Sequence, residues 1–459
     1  MVLHMVLLTL VLLAVAPPRA AAAEPTLVDH PLASGVDPVY LDGDWQASNA
    51  ACGRALISRG GESVAGAPPL AAKVPGDILT DLQRAGKVKD PYWNVTWRDA
   101  AFIAAWNEGV WTYSQSFPTS PAMQSAADCL LVLDGVRMGA VVSLNGAWLA
   151  NVTDQFLRYE LPVGKHLLSS GDNVLTVAFT KDIATGGRST YSNQIDWAPN
   201  FLTFDPTAQQ VLDAQRIMGR QTFGFGIWKS VYVLPVPPKA AAIKQLVLHT
   251  FYEGGHPTSI LGDGNHAGFE VRARLVLWAP AATTGTITVN IPGVSGASAT
   301  LQASVPAGES NFSVIIPASA TETVQLWHPR GNGGQHRYNI TAGFAPAAAA
   351  AAEGESTPEN KPEATAAAAA AASTWRMLGF RHVALVTIND TDAAATAAAK
   401  DQDGSGQFGM FFRVNGAAVY ARGGNKIPMD LIDGRMSASA HRRLVQSAAD
   451  GNMNMLRVW

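Results

Sequence analysis

Apolar and polar residues alternate along most of the chain in short runs of about four to eight residues, the period of half-buried strands. Trp111 to Phe117 alternates, Leu130 to Leu133 is an apolar run, and Ala140 to Leu149 is broken by Asn145-Gly146, a strong short hairpin signal. Asn173 to Phe179 alternates again, and Ser230 to Leu234 leads into Pro235-Val236-Pro237-Pro238. Many short strands at regular spacing predict a jelly-roll β-sandwich over 24–237, closed by the prolines. A second set follows: Ile243 to Phe251, Phe269 to Trp278, Thr286 to Ile291, Ser313 to Ile316, Tyr338 to Phe344 and Trp375 to Thr387. It suits an immunoglobulin-like sandwich over 238–407. An Ala-rich insertion at 345–373 interrupts that sandwich. It holds too few large apolar side chains to offset chain entropy and reads as disordered or weakly helical, and Ala393 to Gly406 is a smaller low-complexity patch.

From Phe408 the pattern changes. Phe411 to Val414, the turn Asn415-Gly416 and Ala417 to Ala421 predict a hairpin feeding an apolar strand. A loop over Gly423-Gly424-Asn425 and Pro428 follows, then a helix from Ser437 to Ala449 with Ala440, Leu444 and Ala448 on one face, then a strand from Asn452 to Trp459. Strand, helix, strand is a βαβ unit, the repeat of a parallel sheet or barrel. Residues 408–459 thus begin a third domain, far short of the roughly 250 residues a full barrel takes.

Composition adds constraints. Of 459 residues 47% are hydrophobic, but runs such as Ala347 to Ala352 and Ala366 to Ala372 inflate that figure without contributing core. The formal net charge is −3, and no Lys/Arg run is dense enough to track a phosphate backbone, so nucleic acid is not an expected partner. Residues 1–23 read as a secretory signal: an apolar stretch from Met5 to Ala16, then Pro17-Pro18-Arg19 and small residues. That stretch is short for a membrane span, and no later segment offers a long uncharged one, so no membrane partner is expected after cleavage. Asn94, Asn151, Asn311, Asn339 and Asn389 open Asn-x-Ser/Thr sequons, consistent with the secretory route. Cys52 and Cys129 are the only cysteines and are read as unpaired buried thiols. His328 and His336 flank Gly331 to Gly334 without zinc-ligand spacing, and those glycines lack the lysine of a phosphate loop; both are structural, and no metal or cofactor is called for.

Nine words in order bear a resemblance. They are Leu41-Asp42-Gly43-Asp44-Trp45, Val74-Pro75-Gly76-Asp77, Asp90-Pro91-Tyr92-Trp93, Leu144-Asn145-Gly146, Asp196-Trp197-Ala198-Pro199, Gly224-Phe225-Gly226-Ile227-Trp228-Lys229, Gly379-Phe380-Arg381, Gly423 to Pro428, and Asn454-Met455-Leu456-Arg457-Val458-Trp459. Over 41–459 the chain resembles the β-mannosidase branch of glycoside hydrolase family 2. The resemblance implies a mainly β chain of two sandwiches followed by the first βαβ unit of an incomplete (β/α)₈ TIM barrel. It also implies retaining hydrolysis of terminal non-reducing β-D-mannose in oligosaccharides and glycoproteins, in a lysosome, a vacuole or the extracellular space. One glutamate would act as acid/base and one as nucleophile, about 5 Å apart. Both are expected beyond Trp459, so residues 1–459 by themselves are expected to be inactive.

The same resemblance assigns a supporting shell. Asp196 and Trp197 lie on a loop that the first sandwich sends over the barrel mouth, where a carboxylate accepts from sugar hydroxyls beside an aromatic face. Family members commonly have Trp-Asp-Trp-Gly-Pro there, whereas this chain has Ile195 and Ala198, which leaves one aromatic wall in question. From the residues alone, Asp196 reads as a turn cap and Trp197 as packing. Arg457 matches an arginine that holds the nucleophile with its guanidinium fork, or is an ordinary strand-end ion-pair partner. Trp459 would form part of the mannose platform, and Asn425 would orient a group at the first strand's mouth or simply shape a loop. Two other functions remain open: a non-catalytic carbohydrate-binding or scaffold protein, and another family-2 exo-β-glycosidase such as a β-galactosidase or β-glucuronidase.

Overall fold

The computed structural model describes residues 31–459 except 51–68, 91–109, 138, 181–182, 184–224, 319–322, 348–370, 388, 393–409, 427–429, 431 and 459. In the first sandwich a six-stranded antiparallel sheet faces a four-stranded one. The larger sheet runs β3 (Leu70–Val74), β2 (Gly43–Ala50), β4 (Val110–Pro118), β9 (Asp172–Phe179), β6 (Ala140–Leu144), β7 (Ala147–Val152). The smaller runs β1 (Val39–Tyr40), β10 (Val231–Val236), β5 (Asp128–Leu133), β8 (Tyr159–Pro162). Inward positions such as Trp45, Trp111, Tyr113, Leu131, Val177 and Val233 form one buried cluster. The Asn145-Gly146 turn behaves as its sequence demands, with both residues at positive φ (52° and 79°) between β6 and β7.

The proline cluster does not end β10 where expected. The strand runs to Val236, with Pro235 opposite Cys129. The ladder from β10 to β1 stops at Val233, so Pro235 has no partner on that side to which it would have to donate.

The second sandwich packs β11 (Ala242–Tyr252), β12 (Phe269–Ala279) and β15 (Gly308–Ala318) against β14 (Ser298–Val305), β13 (Thr283–Asn290), β16 (Tyr338–Pro346) and β17 (Ala372–Leu378). The insertion is narrower than 345–373, because Ala345 and Pro346 pair with β13 while Ala372 and Ser373 pair with Phe344 and Gly343. The conformation expected for it falls on 348–370, outside the described residues. The long strand read over 375–387 is two strands, since Gly379 to His382 leave β17 before β18 (Val383–Val386) begins. β18 then pairs with β19 (Phe411–Val414), which turns through Asn415-Gly416 into β20 (Ala417–Val419). This three-stranded sheet spans residue 407, the expected domain boundary, so the hairpin is tied to the strand before it.

The two sandwiches are held together. Leu32, Leu130, Val132, Tyr232, Leu234, Val236 and Ala242 form a separate buried cluster at the join, with Trp278 against it. Lys244, at a register shift in β11, ion-pairs with Glu160 of β8 and Glu309 of β15.

After β20 comes one parallel pair: β21 (Gly423–Lys426) beside β22 (Met455–Val458), joined through the crossover helix Ala438–Asp450. The helix falls within a residue of its expected span. Ser437 caps it by accepting from the Ala440 amide at 3.2 Å. No closed barrel forms among the described residues.

Candidate functional site

The parallel ladder places Asn425 directly opposite Arg457, and Arg457 Nη1 donates to Asn425 Oδ1 at 3.2 Å. Two residues picked from separate words are therefore joined at the carboxyl ends of neighbouring parallel strands, where barrel enzymes build their sites. The register comes from local features. Asn454 clasps the link just before β21, accepting from the Arg422 amide at 2.9 Å and donating to the Tyr420 carbonyl at 3.0 Å. Gly423 lies against the Met455 backbone, where a Cβ would overlap the Met455 carbonyl. Both side chains at the pair are open to solvent, and among the described residues Arg457 makes no ion pair. A guanidinium held by a neutral amide keeps its remaining N–H edges for a carboxylate or a sugar oxygen.

Asp196, Trp197 and Trp459 lie outside the described residues. The roots of the 184–224 segment are described, and they are anchored. On the return side, the Phe225 carbonyl accepts from Ile78 N at 3.0 Å, the Ile227 carbonyl from Gly76 N at 2.8 Å, and the Gly226 carbonyl from Arg137 N at 3.0 Å. Phe225 packs at a tilt against Phe179 of β9, with ring centroids 5.7 Å apart, so the end of β9 and the return root meet. Gly226 is required there: its φ is +155° and a Cβ would sit 2.5 Å from the Gly76 carbonyl oxygen. The sequence words around Gly76 and Gly226, more than a hundred residues apart, thus form one junction.

That junction reaches the βαβ unit through Asp77. Asp77 is 1% exposed and caps helix α1 (Ile78–Arg84), with Oδ1 accepting from Thr80 N at 2.9 Å. Its Oδ2 accepts from Thr80 Oγ1 at 2.8 Å and from the Gly434 amide. A Cβ on Gly434 would lie 2.5 Å from Thr80 Oγ1 and 2.7 Å from Asp77 Oδ2. Next to it, Arg435 donates to Gln83 at 2.8 Å and pairs with Asp90 at 3.2 Å, and Ile432 enters the core of the first sandwich at 1% exposure. The connection from β21 into the crossover helix is therefore fastened to α1, beside the anchored root of the 184–224 segment. An aspartate before a helix signals a cap; nothing local signals its second partner 357 residues away.

The remaining candidates fall out as follows. Asn151, Asn311 and Asn339 are exposed and Asn389 is half-buried, while Asn94 lies outside the described residues. Cys129 is a buried free thiol pushed up to about 12, by burial first and the Asp128 charge second. Cys52 lies outside the described residues. The His328 and His336 rings pack over Gly333 and Gly334, and burial lowers the His328 pKa. Among the described residues no group of three or more His, Cys, Asp and Glu side chains is placed to hold a metal.

Comparison with known proteins agrees with this architecture. Residues 46–224 match the family described as glycosyl hydrolase 2 galactose-binding domain-like. The chain is 27% identical over 407 residues to β-mannosidase A of Aspergillus niger, covering 84% of this chain and 40% of that protein. It is 24% identical over 404 residues to the β-mannosidase of Bos taurus, covering 86% and 40%. The β-D-mannosidase structure from Dictyoglomus thermophilum superposes with a TM-score of 0.62 at 19% identity, over 92% of this chain and 44% of that one. The chain thus spans about 40% of the length of the curated relatives it matches. With its two sandwiches, the anchored junction at Asp77 and the parallel pair at Asn425 and Arg457, the chain carries the galactose-binding domain-like N-terminal domain of glycosyl hydrolase family 2 and is homologous to β-mannosidases.

Proposed function

We propose that these residues serve a retaining β-mannosidase, acting on terminal non-reducing β-D-mannose of oligosaccharides, and supply the supporting shell of its site. The observation that carries the reading is the Asn425–Arg457 pair at the mouth of a parallel ladder, in a chain homologous to β-mannosidases. In this mechanism Arg457 holds the nucleophilic glutamate ionised and oriented, with its fork fixed by Asn425. Asp196 and Trp197 are assigned to recognition of the sugar, and Trp459 to the aromatic platform. On this reading no residue of 1–459 is assigned as the acid/base or as the nucleophile. The domains run 24–237, 238–407 and 408–459, with the β18–β19 pairing crossing the second boundary. A secretory route, ending in a lysosome, vacuole or outside the cell, is supported by the amino-terminal signal pattern and by exposed Asn151, Asn311 and Asn339. Among the described residues no helix is long and apolar enough to cross a membrane.

A stand-alone binding or scaffold protein is less well supported, because Tyr420 (84% exposed) and Val458 (75%) would remain as bare apolar surface on the βαβ unit. The test is turnover of a panel of aryl β-glycosides by the full-length protein. The mannoside is the expected best substrate, and preference for a galactoside or glucuronide refutes the assignment. Arg457→Lys, which keeps the charge and loses the fork, is expected to lower kcat/KM by about 100-fold.

A further inference from the structure

The second sandwich carries a cleft that the proposed chemistry does not use. It opens where β11 and β17, edge strands of the two facing sheets, come together, and its volume is about 520 Å³. That lies within the usual range for small-molecule sites, about 300–1,000 Å³. Its walls combine Phe251, Trp327 and Met377 with the donors His249, Arg337 and Arg381, and among the described residues no aspartate or glutamate lines it. Arg381 stacks its guanidinium on Trp327, with Cζ 4.3 Å from the ring centroid. Gly379 permits this arrangement, since a Cβ there would sit 2.9 Å from the Trp327 Cβ.

Stacking fixes the plane of the fork while leaving its N–H edges free, the arrangement suited to bidentate capture of a planar anion. Among the described residues neither Arg337 nor Arg381 has a carboxylate partner. The nearby Arg272 differs: it lies over Phe251 and is already neutralised by Glu270. Both guanidiniums line the cleft without a carboxylate partner among the described residues, so an anion that enters meets positive charge from each. Neutral sugars need acceptors as well as donors, and this lining offers no carboxylate to accept from their hydroxyls.

We infer that the cleft at Trp327, Arg337 and Arg381 is an accessory binding site for an acidic oligosaccharide, one whose carboxylate or sulfate meets the arginine pair while its ring packs on Trp327, Phe251 or Met377. That the ligand is an anion follows from the cleft; that it is a saccharide rests on the glycosidase reading above. Calorimetric titration of the 459-residue chain with four probes tests it: a uronate-terminated disaccharide, a sulfated disaccharide, neutral mannobiose and a glutamate-rich hexapeptide. At least one acidic disaccharide is expected to bind, at least fivefold more tightly than mannobiose, with affinity falling as salt rises. The exposed substitutions Arg337→Ala and Arg381→Ala, checked for folding by circular dichroism, are each expected to weaken that binding about tenfold. Binding of neither acidic disaccharide, equal binding of mannobiose, unchanged binding by the Arg337→Ala/Arg381→Ala double variant, or binding of the peptide alone overturns the inference. If the full-length protein cleaves no aryl glycoside while an acidic disaccharide still binds, the mannosidase reading falls and the cleft stands.

Discussion

Replacing Asp77 with alanine should loosen the first sandwich and the βαβ connection together. The buried carboxylate accepts from Thr80 N, Thr80 Oγ1 and the Gly434 amide. Loss of a helix cap costs about 1 kcal/mol, and hydrogen bonds to a charged group contribute about 1.5–3 kcal/mol each in favourable cases. These losses overlap, since water and small shifts re-satisfy part of what is left, and a combined loss of about 2–4 kcal/mol is expected. For a sandwich of this size each kcal/mol moves Tm by about 2–4 °C, so the transition should fall by roughly 4–16 °C. Calorimetry reads that shift, and hydrogen exchange reads its location: the amides of Gly434 and Arg435 should lose protection along with Thr80. Asp77→Asn, which keeps a good capping acceptor, should lose less than half as much and retain protection at Thr80. A Tm within 1 °C of the parent, or unchanged exchange at Gly434 in Asp77→Ala, would refute the idea that this carboxylate fastens the two parts.

Three further outcomes can be checked. Gly226→Ala forces a side chain into a left-handed position against the Gly76 carbonyl and should lower Tm by more than Asp77→Asn does, or prevent soluble expression, whereas Gly146→Ala, which meets nothing within 4 Å, should cost only the positive-φ penalty of about 1 kcal/mol. The bond from Arg413 first, and that from His256 next, hold the Asp390 carboxyl below its ordinary value. A depressed carboxylate pKa stabilises the fold above the unfolded value and loses that contribution as pH falls through the folded one, so Asp390→Asn should flatten the acid limb of a Tm-against-pH curve below about pH 4 and lower Tm at pH 7. Cys129, with its thiol pushed up to about 12, should resist iodoacetamide at pH 8 in the native chain and react on unfolding, as read by peptide mass spectrometry.

The hairpin turns and the crossover helix were readable from local chemistry. Asn145-Gly146 and Asn415-Gly416 take positive φ at both residues, a demand those residue types announce. Ser437 caps the helix from the position its sequence predicts. Strand limits were less legible. β14 is less legible because Leu301 is the one large residue on its inward face, beside Ala299, Ala303 and Val305, a weak hydrophobic signal. Pro235 read as a stop because proline removes a donor, yet only the absence of a β1 partner beside it decides whether that donor is missed.

The sequence by itself determined the mainly β class, the two sandwiches and the single βαβ unit. These follow from periods of two and 3.6 residues, turn chemistry and ordered words, all of which act over a few neighbours. Gly423-Gly424-Asn425, however, reads as a loop where the structure makes Gly423–Lys426 the strand that pairs with Met455–Val458, because two glycines mask a short ladder strand. Only the tertiary structure decided that Asp77 bridges to Gly434, that the Gly76 and Gly226 words form one junction, and that Trp327, Arg337 and Arg381 line a common cleft. Such contacts join residues tens to hundreds of positions apart, and no local periodicity encodes them. They exist because burying two sandwich cores brings those backbones within hydrogen-bonding reach, where each unpaired buried group would otherwise cost more than the partner it finds.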